Sequence, residues 1–190
     1  MDYDIKSRIR LSDFEMLLWC GKPKKKAFIA RQCLTMMPFA LVWLLFDLVF
    51  ISFFLGVGEF NPVFVAVIPF MILHLAPVWI WIGNMIMAGP RWKNTYYYIT
   101  DSRIIICQGT FNVNEISLYY DDIKNVRRSA GLLGAMLGSQ DVVFDLKMPV
   151  YTDYNSSNNS RKRHFVFHDL EEADKVYDLA QKIVLDRQNI

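Results

Sequence analysis

The feature that most constrains this chain is an apolar run from Cys33 to Ala88, interrupted only by Gly58-Glu59-Phe60-Asn61. Each half is long enough to cross the ~30 Å hydrocarbon core of a bilayer as a helix, which takes about 20 apolar residues. Asp47 is the sole charge in the first half, and His74 is the one ionisable polar group in the second. A buried helix of a soluble protein rarely runs so far without a polar face. The expected organisation is therefore an N-terminal segment 1–32, transmembrane helices over 33–57 and 62–88 joined by an external loop 58–61, and a polar domain over 91–190.

Charge is distributed to match. From residue 91 onward 13 Lys/Arg face 13 Asp/Glu, whereas the part before it has 8 against 6, with Lys22, Lys24, Lys25, Lys26 and Arg31 crowded together. A nucleic-acid binder needs a basic face on its folded domain, and this balance argues against one. Arg91 and Lys93 flank the far end of the run, and the connecting loop carries only Glu59. The positive-inside rule then places both termini and the polar domain in the cytoplasm. Cys20, Cys33 and Cys107 fall on or near that reducing side and are expected as free thiols. The first span starts too late and is too long for a cleavable signal, and a second span follows it directly.

Ser12-Asp13-Phe14-Glu15 has the form of a capping box, which predicts a short helix carrying Met16 to Trp19, ended by Gly21 and Pro23. The flanking cations Lys22, Lys24, Lys25, Lys26, Arg31, Arg91 and Lys93 are candidates for contact with anionic headgroups, each worth about 1 kcal/mol near such a surface. The plainer reading, that they only set topology, is preferred for so small a cluster. Pro69 and Pro77 should kink the second helix. Asp47 and His74 lie equally far from the cytoplasmic ends, each ~21 Å deep at the helical rise. Facing lipid would cost either about 2.5–3.5 kcal/mol, so a contact between them across the hairpin is expected. It reads as a clasp fixing helix register, or as a proton or ion pathway in an oligomer; two spans are little machinery for transport, which favours the clasp.

After Gly89-Pro90 the pattern becomes short β-rich runs over 95–100, 103–109, 113–119, 123–129, 141–147 and 164–168, separated by turn residues. A stripe at helical spacing follows: Ala173, Val176, Tyr177, Ala180, Ile183 and Val184, with Asp169 and Glu172 as a box-like start. Strands closed by one amphipathic helix imply an α+β domain built on a curved antiparallel sheet.

Tyr97-x-Ile99-Thr100-Asp101-x-Arg103-Ile104, Gly109, Ile116-x-Leu118 and Ile123-x-x-Val126 resemble the bacterial pleckstrin-homology-like family of membrane-anchored proteins. So do Phe165-x-Phe167, the helix LEEADKVYDLAQKI, and Gly21-Lys22-Pro23 shortly before two spans. The resemblance implies a pleckstrin-homology-like barrel with a C-terminal helix, held at the inner face of a bacterial inner membrane. It brings no catalytic residues and no cofactor. The chain departs from the family at Gly138-Ser139-Gln140-Asp141, where Gly-x-Gly is commoner, and in the long polar tract Met148–Arg163.

Other constellations carry little. The tract from Gly131 to Ser139 lacks the Lys-Ser/Thr ending of a phosphate loop and has no parallel βα unit around it; packing on its own domain is preferred to dipping into a bilayer or docking a partner. His164 and His168 would sit about 13 Å apart on a strand, too far to share a metal ion. No nucleophile–base arrangement is visible. Arg161-Lys162-Arg163 reads as a solvated loop end. The expected function is non-catalytic binding at the bilayer, by self-association or with other membrane proteins; headgroup recognition and an ion pathway are the alternatives.

Overall fold

The computed structural model describes residues 9, 11–12, 14–55, 63–147 and 165–188. The loop 58–61, the tract 148–163 with its basic end, and His164 lie outside the described residues. The chain forms two compact units, one of residues 1–28 and 90–190 and the other of residues 29–89.

The first unit is built on two antiparallel sheets. Strands β1 (Leu17–Gly21), β2 (Tyr96–Thr100), β3 (Arg103–Gln108) and β4 (Asn114–Tyr119) pair in sequence order in one sheet. In the other, β5 (Ile123–Ser129), β6 (Gln140–Leu146) and β7 (Phe165–Leu170) do the same. The helix expected over Met16 to Trp19 is instead strand β1, which pairs antiparallel with β2, Gly21 opposite Tyr97 and Trp19 opposite Ile99. The physical reason is burial across the sheet. Trp19 stacks on Phe167 and packs against the main core, while Leu17 and Cys20 pack on the other face, which a bulge between Leu17 and Trp19 makes possible. Glu15 does reach back, with Ser12 N donating to Glu15 Oε2 (3.2 Å), but Glu15 N donates to the Ser12 backbone carbonyl (2.9 Å) and not to its hydroxyl, so the segment is a turn before the strand.

The main core lies between the sheets. Tyr97, Ile99, Ile104, Ile106 and Leu118 meet Ile123, Val126, Val142, Phe144 and Phe167, and the C-terminal helix α5 (Ala173–Gln188) adds Ala173, Val176, Ala180 and Val184. A second, smaller cluster covers the outer face of the first sheet, where Ile9 and Leu11 lie over Tyr96, Tyr98, Ile105 and Cys107. Covering both faces explains why β2 and β3 read as continuous apolar runs rather than alternating ones. Burial pushes the Cys107 thiol up to about 11; none of the three cysteines is in a disulfide. Asp169, expected as the helix cap, lies within β7 instead, and α5 starts at Ala173.

Thr100-Asp101-Ser102-Arg103 ties this unit together. The Thr100 hydroxyl accepts from the Arg103 and Ser102 amides and donates to Glu15 Oε1 (2.8 Å). Arg103 grips Glu15 with Nε (2.9 Å) and Nη2 (3.1 Å) and reaches Ser117 on β4 with Nη1. Asp101 exchanges bonds with Met16, and Arg187 of α5 donates to Asp101 O. Tyr120, whose hydroxyl burial pushes far up, donates to Thr100 O at 2.6 Å.

The second unit contains most of three helices: α1 (Lys25–Leu55), α2 (Val63–His74) and α3 (Ala76–Lys93). Helix α1 starts eight residues before the expected span. The single helix expected over 62–88 is divided at Leu75. Pro77 cannot donate to Leu73 O, and its ring crowds that carbonyl. The chain restarts there, with Val78 N and Trp79 N bonded to Leu75 O, so that Pro77 sits in a first turn where no donor is needed.

Joining Lys24 to Arg91 by a short Gly-Ser linker should give a domain with a cooperative thermal melt, whereas residues 94–190 alone should aggregate for want of β1. Burial raises the Glu15 carboxyl, but the bonds from Arg103 and Thr100 outweigh it and hold the carboxyl below the 4.5 of an ordinary glutamate. Its stabilisation is thus present above 4.5 and lost as pH falls through the depressed folded value. Denaturation followed against pH should show this loss in the linked domain and not in its Glu15→Gln variant. Arg103→Ala, which strands a buried carboxylate, should cost about 3–5 kcal/mol.

Candidate functional site

The residues around the point where the first unit gives rise to the helices, and takes the chain back, form a densely bonded collar. Lys24 immediately precedes α1. Its backbone N–H donates to Asp169 O (2.7 Å), and its ammonium reaches Gly138 O (3.3 Å) and Glu171 (3.1 Å). On the returning side, Trp92 Nε1 donates to the buried Pro23 carbonyl at 2.8 Å. The Lys22 ammonium sits over the Tyr96 ring (4.0 Å) and the Trp92 ring (4.7 Å) and donates to Lys93 O. Arg91 Nε donates to Thr110 Oγ1 (3.1 Å) and Asn94 Nδ2 to Thr110 O (2.8 Å), which fixes the β3–β4 turn to the same place.

Two left-handed residues support this collar. Asp169, at φ 57, is held by its N–H donating to Asp141 Oδ1 (2.8 Å), while Asp141 Oδ2 lies 3.0 Å from His168 Nδ1. Such a conformation costs a non-glycine residue about 1–3 kcal/mol and persists where its surroundings fix it. Gly138, at φ 63, ends the short helix α4 (Leu132–Leu137) and turns its carbonyl to Lys24.

The candidate cations therefore divide. Lys22, Lys24 and Arg91 are engaged with the protein itself, and Arg31 is half-buried in the second unit. Lys25, which lies over the Trp92 ring at 5.3 Å, Lys26 and Lys93 are exposed.

Within the second unit, His74 Nδ1 lies 2.7 Å from Asp47 Oδ1. Asp47 is 1% exposed, and the His74 ring is flanked by Trp43 (5.0 Å), Phe70 (5.4 Å) and Phe46 (6.3 Å). Trp43 Nε1 donates to His74 O, and nearer the first unit in sequence Trp81 Nε1 donates to Cys33 O, both at 2.8 Å. Other apolar side chains of this unit are open: Val42, Leu45, Val49, Phe53, Leu73 and Ile86 are each more than half exposed. Among the described residues one helix, Lys25–Phe53, is long and apolar enough to cross a membrane. Also among them, no group of three His, Cys, Asp or Glu side chains is placed to hold a metal ion.

Sequence reasoning missed the collar's partners for Lys24, namely Gly138, Asp169 and Glu171. It also missed the Glu15–Arg103 pair, although both residues stood in motifs it singled out.

Two antiparallel sheets closed by a C-terminal helix define a pleckstrin-homology-like domain. The chain belongs to the bacterial PH domain family, whose model matches residues 46–183. Among solved structures it is similar to the Vps36 N-terminal PH domain, with 19% identity over 53% of this chain and 68% of that one and a TM-score of 0.36. No curated protein matches the sequence. PH domains are in general non-catalytic binding modules.

If Asp47 and His74 act as a clasp, a double-mutant cycle in detergent with Asp47→Leu and His74→Leu should give a coupling of about 1 kcal/mol. Either single change should lower the unfolding temperature more than the pair changed together.

Proposed function

We propose that this chain is a membrane-anchored binding and assembly module: a two-helix transmembrane hairpin, formed by residues 25–55 and 63–93, holds a PH-like domain at the cytoplasmic face of a bacterial inner membrane. The observation that carries this reading is the inverted distribution in residues 29–89, with a carboxylate and an imidazole inside and leucines, valines and phenylalanines outside. In water that arrangement exposes apolar surface at about 25 cal/mol per Å², and in hydrocarbon it removes the penalty.

The pairing of β1 with β2 adds a topological argument for two crossings. Gly21 and Tyr97 are neighbours across a ladder, so whatever leaves after Gly21 must return beside it. A chain that crosses a bilayer along α1 must cross back before β2. The exposed cations at the collar, Lys25, Lys26 and Lys93, favour the cytoplasmic side for both ends.

Assembly is the function this anchor best serves. Strand β1 is the edge of its sheet, and Phe14, Met16 and Leu18, leading into and along it, are 96%, 64% and 45% exposed. A terminal strand flanked by exposed apolar side chains is a surface for another protein, a second copy included. Engagement of Lys22, Lys24 and Arg91 within the fold weighs against the whole basic set acting as a headgroup site.

Alkaline carbonate should leave the full chain in the membrane pellet, and protease should cleave the domain only from the cytoplasmic side. After mild solubilisation the chain should run as an oligomer or with a membrane-protein partner. Phe14→Ser with Met16→Ser should disperse that species, and Lys25→Ala with Lys26→Ala and Lys93→Ala should not. A partner-free monomer in every detergent would refute assembly.

A further inference from the structure

Three of the most exposed apolar side chains in the PH-like unit lie on segments bonded to the collar. Phe111 is 86% exposed, and it follows Thr110, which accepts from Arg91 and Asn94. Leu132 and Met136 are 84% and 77% exposed on α4, one helical turn apart and hence on one face. That helix carries no charge and ends at Gly138, whose carbonyl accepts from Lys24. Each segment is thus bonded to the collar, one to Lys24 where the chain leaves and the other to Arg91 and Asn94 where it comes back. The collar's own chain segments carry exposed Lys25, Lys26 and Lys93.

We infer that Phe111, Leu132 and Met136 form an apolar rim that inserts into the bilayer surface around the anchor, with Lys25, Lys26 and Lys93 on anionic headgroups. The inference rests on the membrane reading above and goes beyond it. A hairpin alone tethers the domain on a short leash, whereas an inserted rim seats it in one orientation against the lipid. The occupant is the bilayer because the segments that carry the rim are bonded to the residues that lead into the apolar helices, and because the exposed charges on those leading segments, Lys25, Lys26 and Lys93, are cationic.

Photoreactive benzoylphenylalanine placed singly at Phe111, Leu132 and Met136 tests this in the full chain, reconstituted into vesicles of phosphatidylcholine and phosphatidylglycerol. Asp186, exposed in the last turn of α5, is the control position. Lipid adducts several-fold above the control at all three positions are expected, and Lys25→Gln with Lys26→Gln and Lys93→Gln should reduce them. Adducts at the control level, in protein that carbonate still leaves in the pellet, would overturn the rim and spare the anchor. Adducts to protein rather than lipid would overturn it in favour of a docking surface. Release of the chain by carbonate would overturn the anchor itself, and the rim with it.

Discussion

The structure depends on a single strand pairing that closes over roughly 70 intervening residues. Strand β1 lies alongside β2, and everything from Lys22 to Thr95 hangs from that junction. Closing a flexible loop of that length costs about 2.5 kcal/mol more than closing a four-residue turn. Helix α1, bonded to α2 through Trp43 and His74 and to α3 through Cys33 and Trp81, is part of a helical unit that returns the chain to its starting point and removes much of that cost. Bonds at the junction supply the rest: Trp92 to Pro23, Lys22 to Lys93, and Lys24 to Asp169.

The Thr100–Arg103 turn performs the complementary task at the far end of β2. A motif by which the family is recognised thus has a mechanical meaning here. Its threonine shapes the turn, its arginine crosses to β4 and back to Glu15, and its aspartate holds Met16. Because Glu15 precedes β1, the same four residues that close a local hairpin also hold the strand that arrives from the other side of the helices.

Much of this was legible along the chain, and the reasons follow physical range. Strands β2 to β7 and helix α5 announce themselves by local periodicity and turn residues, with boundaries within two residues for most. The juxtaposition of Asp47 and His74 follows from equal counts along two neighbouring helices, again a short-range property. Strand β1 was not legible, since Ser12-x-x-Glu15 before an apolar stretch is also how a helix begins. Its β partner lies too far away in sequence to be weighed. Asp169 was read as a cap for the same reason: its left-handed backbone is set by Asp141 and by Lys24, neither of them local. Pro77 announced a disturbance, but whether a proline bends or divides a helix depends on what can restart after it, and Leu75 could.

The division of the domain also imposes a sequence in time. During synthesis β1 is made before its neighbour β2, which follows only after α1, α2 and α3, so the earlier strand must wait with Trp19 and Leu17 uncovered. A ribosome-bound chain has no completed sheet until α1 to α3 have folded back and delivered Tyr96–Thr100 to the waiting edge. Placement of the helices thereby becomes a precondition for a finished domain, and a molecule with misplaced helices would display an unpaired β2 edge of the kind that quality-control proteases and chaperones recognise.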